Sequence, residues 1–115
     1  MNSVAVKFTD PERVRRAVAD FVRSLTTEHA EIQSIIWFGS WTNGTYSPGS
    51  DVDLCIVVND SSIPFRERAV KYLPRLFPVG IDLFVYTKKE FERLHMTHPQ
   101  WHKAIIAGEE QLIPD

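Results

Sequence analysis

The stretch IIWFGSWTNGTYSPGSDVDLCIVV, Ile35 to Val58, decides the architecture. It opens within a short apolar run from Ile32 to Phe38, rich in β-branched and aromatic residues, which predicts a buried strand ending at Gly39. Residues 39–50 then hold Gly39, Asn43, Gly44, Ser47, Pro48, Gly49 and Ser50, too many turn formers for more than one helical turn. A second strand follows from Asp51 to Val58. Alternation puts Asp51 and Asp53 on one face, roughly 6 to 7 Å apart, and Val52, Leu54, Ile56 and Val58 on the other.

Working outward, Val79 to Tyr86 predicts a third strand with the same division. Asp82 lies with Phe84 and Tyr86, opposite Val79, Ile81, Leu83 and Val85. An acidic residue inside so apolar a strand is costly to bury unless it is paired, solvated or bound to a cation. A leading helix is expected after Thr9, Asp10 and Pro11, with its stripe at Val14, Ala17, Val18, Phe21, Val22 and Leu25. A second helix between strands 2 and 3 takes Phe65, Ala69, Tyr72, Leu73 and Leu76, bent or ended by Pro74. Thr87 and Glu90 have capping-box spacing for a third helix carrying Phe91 and Leu94. Pro99 starts a fourth, with Trp101, Ile105 and Ile106, closed by Gly108.

This order predicts an α/β (α+β) domain over residues 1–115, with a small mixed three-stranded sheet packed by helices. Strand 1 must run antiparallel to strand 2 for Gly39 to arrive beside Asp51. The twenty-residue helical connection from strand 2 to strand 3 suits a parallel crossover. The expected order is therefore 1-2-3, and Asp51, Asp53 and Asp82 converge beside Gly39 and Ser40.

Glycine allows close backbone approach to a ligand, and exposed N–H groups with the Ser40 hydroxyl suit phosphate oxygens. Three carboxylates are hard donors that favour Mg²⁺ or Mn²⁺ over zinc. Two such ions bridged by Asp51 and Asp53, about 3.5 to 4 Å apart, would stabilise the attacking and leaving oxygens of a phosphoryl or nucleotidyl displacement. The strand position of the aspartates argues against other Asp-x-Asp chemistries. In dehalogenase-type phosphatases the aspartates follow the apolar strand, and an EF-hand needs more oxygen ligands in a loop than Leu54 to Val58 offer.

Composition narrows the classes further. The chain has 115 residues, 43% hydrophobic and 24% charged, with 13 Lys+Arg against 15 Asp+Glu. A net charge of -2 supplies no broad basic field, which disfavours nucleic acid as a partner. Cys55 is the only cysteine, which leaves no internal disulfide or Cys-based zinc site and fits a reducing cytoplasm. No apolar run is long enough to cross a bilayer, and Met1 to Asp10 does not read as a signal peptide.

Gly39-Ser40, then Asp51-Val52-Asp53-Leu54, then Asp82 on a later strand together resemble the DNA polymerase beta-like nucleotidyltransferase superfamily. Ile106-Ala107-Gly108-Glu109 followed by Leu112 is most similar to its minimal nucleotidyltransferase (MNT) branch. The resemblance spans roughly residues 32 to 113. It implies that Asp51 and Asp53 bind two Mg²⁺ ions, that Asp82 completes the metal site and helps activate the acceptor hydroxyl, and that Gly39 and Ser40 hold the triphosphate of ATP or another NTP. It also implies a HEPN-domain protein as partner, inactivated by AMP transfer to a tyrosine, with this chain as the antitoxin. Many minimal members carry Arg where this chain has Trp41 and Asn43. That departure keeps open a non-catalytic binding antitoxin; a further alternative is transfer to a small molecule such as an aminoglycoside, with a second copy of the chain completing the acceptor pocket.

Several other features are expected to be structural. His95, His98 and His102 have helical metal-site spacing, but Pro99 interrupts the helix. Arg66, Arg68, Lys71 and Arg75 read as a solvated basic face. Trp37 and Trp101 read as core, Trp41 as core or pocket border, and Cys55 as packing on the Asp53 face.

Overall fold

The computed structural model describes residues 10–47 and 49–111, so Thr9, Pro48 and Leu112 lie outside the described residues. Helix α1, Pro11–Glu28, starts where Asp10 accepts a hydrogen bond from the Glu12 amide at 3.0 Å and Pro11 occupies the first turn. Its buried stripe is Val14, Val18, Phe21, Val22 and Leu25. Strand β1, Ile32–Phe38, leads through Gly39 into the single-turn helix α2, Ser40–Asn43. Strand β2, Val52–Val58, is followed by α3, Phe65–Tyr72, and β3, Ile81–Thr87. Helices α4, Lys88–Thr97, and α5, Pro99–Ile106, precede a two-residue strand β4, Glu109–Glu110.

β1 and β2 are antiparallel, and β2 and β3 are parallel, as the expected topology requires. The sheet has four strands, however, in the order β3-β2-β1-β4. The expected three-stranded sheet is thus extended by β4, antiparallel to β1. Two residues carry no periodicity, so β4 is not visible in sequence. Gly108 brings it in, since a Cβ there would collide with the Trp37 carbonyl and come 2.7 Å from Phe38 Cβ. The Gln111 amide then donates to Ile35 O at 2.8 Å.

Helices cover both faces of the sheet. On one, α1 and Tyr72 pack on Ile35, Trp37, Val52, Leu54, Ile56, Val58, Leu83 and Val85. On the other, Leu94 of α4 and Ile105 of α5 pack on Ile36, Phe38, Cys55 and Val57, with Phe84, Tyr86 and Trp101 at the margin. Burying each such aliphatic side chain contributes about 1.5–3 kcal/mol. The aspartate face is therefore apolar and covered along most of its length, and open at the end where Asp51, Asp53 and Asp82 stand.

The second helix departs from expectation. It ends at Tyr72, and Leu73 and Leu76 are exposed, at 50% and 91%. Leu73 precedes Pro74, whose ring disfavours a helical Leu73; its backbone is extended, at φ -64 and ψ 139. Arg68 is not on a solvated face. It is buried at 6% exposure and donates to Ile63 O at 2.7 Å, Val85 O at 3.1 Å and both Glu90 oxygens at 2.6 and 3.1 Å. Glu90 also completes the capping box with Thr87. Arg68 thereby ties α3 to β3 and α4, with its charge neutralised where it is buried.

Candidate active site

Strand pairing brings the candidate residues together. Phe38, the last residue of β1, is the register partner of Asp53, and Asp53 is the register partner of Asp82. Asp53 therefore sits between the Gly39 turn on one side and Asp82 on the other. Gly39 has φ 90 and ψ -158, a region essentially reserved for glycine. A Cβ there would stand 3.3 Å from Asp53 Cγ and collide with Oδ2. Only glycine lets the β1–α2 turn lie this close to the carboxylate.

Gly80 serves Asp51 in the same way. Its carbonyl accepts the Val52 amide at 2.9 Å, and a Cβ on it would meet Asp51 Cγ at 2.9 Å. Sequence reasoning passed over this residue. Its signal was a glycine two residues before Asp82, at the mouth of a strand.

The electrostatics combine partial burial with crowded like charges. The Asp53 carboxyl is pushed up to about 6, first by partial burial, then by the charges of Asp82 and Asp51 and a hydrogen bond with Asp82. Asp51 and Asp82 are exposed. Among the described residues no three His, Cys, Asp or Glu side chains form a ready metal cage. The donor set nonetheless fits a hard divalent cation. Mg²⁺ binds through one or two carboxylates and keeps its remaining positions for water and substrate phosphate. Asp51, Asp53 and Asp82 offer oxygen donors at an open sheet end, and among the described residues no positive charge offsets the rise of Asp53.

Ser40 opens α2, where the first amides have no acceptor within the helix. The Gly39 carbonyl accepts the Thr42 and Asn43 amides at 3.1 Å each and the Thr42 hydroxyl at 3.0 Å. Trp41 is buried at 5% exposure, stacks on Tyr46 with centroids 4.3 Å apart, and donates its indole N–H to Ser50 O at 2.8 Å. It belongs to the core. Asn43 closes a turn by accepting from the Thr45 amide at 3.0 Å and the Thr45 hydroxyl at 2.6 Å.

The remaining candidates lie elsewhere. His98 links α4 to α5, and the rings of His95 and His102 stand 5.9 Å apart. Cys55 is fully buried and its thiol is pushed up to about 12 by burial, which makes it an inert packing group. A cavity of about 640 Å³ between α1 and residues 71–77 is not lined by any of the three aspartates. No helix among the described residues is long and apolar enough to cross a membrane.

A family model described as a nucleotidyltransferase domain matches residues 15–107. Comparison with curated proteins finds no match. Among solved structures, the chain is similar to a protein of Sulfolobus solfataricus proposed to be a nucleotidyltransferase. The TM-score is 0.58 at 18% identity, over 72% of this chain and 75% of that one. At that identity the likeness speaks for the fold alone.

Proposed function

The chain belongs to the nucleotidyltransferase domain family, and we propose that it moves AMP from ATP to a tyrosine hydroxyl of a partner HEPN-domain protein in the cytoplasm, as that protein's antitoxin. One observation carries the reading of the site: Asp53 and Asp82 are in register on adjacent parallel strands, with the glycine turn at residue 39 against Asp53.

In this reading Gly39 and Ser40 hold the triphosphate through helix-start amides and the Ser40 hydroxyl. Asp51, Asp53 and Asp82 would hold two Mg²⁺ or Mn²⁺ ions, which when bound neutralise phosphate charge and favour attack at the α-phosphorus. Asp82, exposed at the sheet end, orients the acceptor hydroxyl and takes its proton. The acceptor oxygen bonds to the α-phosphorus, the α–β anhydride bond breaks, and pyrophosphate leaves with the electron pair.

The test is transfer of α-labelled AMP to the partner in the presence of Mg²⁺. Wild-type protein should label it and Asp53→Asn should not; equal labelling by both would sink the mechanism. A second reading is neutralisation by occupancy alone. It is favoured by the burial of Trp41 and the closed Asn43 turn, neither of which offers a cation to a triphosphate. It predicts that a double Asp51→Ala, Asp53→Ala variant still binds and inhibits the partner without labelling it.

A further inference from the structure

The described residues between Gly39 and Ser50 form two hydrogen-bonded turns. In the first, the Thr42 and Asn43 amides donate to Gly39 O, and the Thr45 amide donates to Ser40 O at 3.2 Å. In the second, the Ser50 amide donates to Ser47 O at 2.9 Å, and the Ser47 amide donates to the Ser50 hydroxyl at 2.8 Å. The first turn carries Gly39 and Ser40. The second delivers the chain to Asp51. Gly44 and Gly49 take positive φ, at 85 and 84, one in each turn.

Among the described residues, Trp41 makes the side-chain link between the two. Its N–H donates to the Ser50 carbonyl, one residue before Asp51, and its face stacks on Tyr46, which stands between the turns, with rings 10° from parallel. Its body is anchored in the core that α1 forms with β1 and β2. The indole thus refers both turns to the same rigid part of the protein.

We propose that Trp41 is a positioning residue that sets the spacing between the Gly39-Ser40 turn and Asp51. This rests on the nucleotidyl-transfer reading, since the spacing matters to function if one turn holds the triphosphate and the other its counter-charge. Displacement of reacting groups by about 1 Å can cost on the order of a hundredfold in rate. A tether made of one hydrogen bond and one stacked ring controls a displacement of that size.

Trp41→Phe removes the N–H donor and keeps an apolar ring in the core. Tyr46→Leu removes the stacked ring and keeps the Trp41 N–H donor. Amide exchange in the full chain reads the tether directly. With the donor lost, the Thr45, Ser50 and Val52 amides should exchange about tenfold faster, the equivalent of one hydrogen bond, while Val18 and Val22 in α1 keep their protection. In the transfer assay kcat per folded molecule, with the folded fraction fixed by the retained protection of the α1 amides, should fall about tenfold or more with the nucleotide KM within about twofold. Tyr46→Leu should move both readouts in the same direction by less. Unchanged exchange at Thr45, Ser50 and Val52 in Trp41→Phe overturns the proposal, as does faster exchange with unaltered kcat. If the wild-type chain transfers no nucleotide, the transfer reading falls and with it the functional half of this proposal, while the exchange arm still decides whether Trp41 joins the turns.

Discussion

The two ends of the sheet hold carboxylates in opposite circumstances. At the end where β1 begins, Glu31 is held by the Tyr72 hydroxyl, which donates to it at 2.7 Å, and by Lys71 at 3.1 Å. Burial alone would raise it, but those hydrogen bonds, one from its own backbone and the Lys71 charge bring it down to about 2. Nearby, Glu90 lies below the usual carboxylate range because Arg68 grips it. At the end where β1 finishes, Asp53 rises to about 6 because it is partly buried and because it faces Asp82 and Asp51. One end spends its carboxylates on holding elements together; the other leaves them short of positive charge. An unsatisfied cluster costs stability, and a cation supplied from outside relieves it.

The largest expected effect is at the unsatisfied end. Asp53→Asn should lower transfer by more than the ~100-fold typical of losing an outer-shell metal partner. The same variant should be more stable than wild type at pH 8 without divalent cations, by about 4 °C or roughly 1 kcal/mol, as read by thermal unfolding. A fall in stability there would break the comparison. At the satisfied end the sign reverses. Arg68→Met should cost about 2–4 kcal/mol in denaturant unfolding, because it leaves two carbonyls without their donor and Glu90 without its counter-charge.

A third test uses pH and metal together. The raised Asp53 carboxyl binds its proton more tightly in the folded state, so its contribution to stability is full below 3.8 and lost as pH rises through about 6. Millimolar Mg²⁺ should therefore raise Tm more at pH 8 than at pH 5, and the difference should vanish in Asp53→Asn. The smallest effect belongs to Glu31, whose lowered carboxyl contributes stability above 4.5 that is lost as pH falls toward about 2. Glu31→Gln should remove about 1 kcal/mol at neutral pH, after allowance for solvent screening, and flatten the acid limb of the stability profile.

Local rules carried far in this chain. Asp10 with Pro11, Thr87 with Glu90, and Pro99 mark helix starts because caps and fixed φ act over a few residues. Period-2 alternation separated Asp51, Asp53 and Asp82 from their aliphatic neighbours; antiparallel pairing of the first two strands followed from requiring Gly39 beside Asp51, and the twenty-residue helical connection suited parallel pairing of the next two. The meeting of the three aspartates with Gly39 was legible for that reason. What involves the contact of distant segments was not. Arg68 looks like any surface arginine until Glu90 and the β3 edge close on it. Trp41 could be assigned to core or pocket only after α1 packed against it, and Gly80 gained its meaning only when β3 lay beside Asp51. β4 exists because Gly108 lets the chain pass against Trp37. Sequence by itself determined which residues are hard donors and which face they occupy, since alternation and capping are properties of neighbours. The tertiary structure decided which charges find partners, because a partner many residues away is supplied by packing and has no period to read.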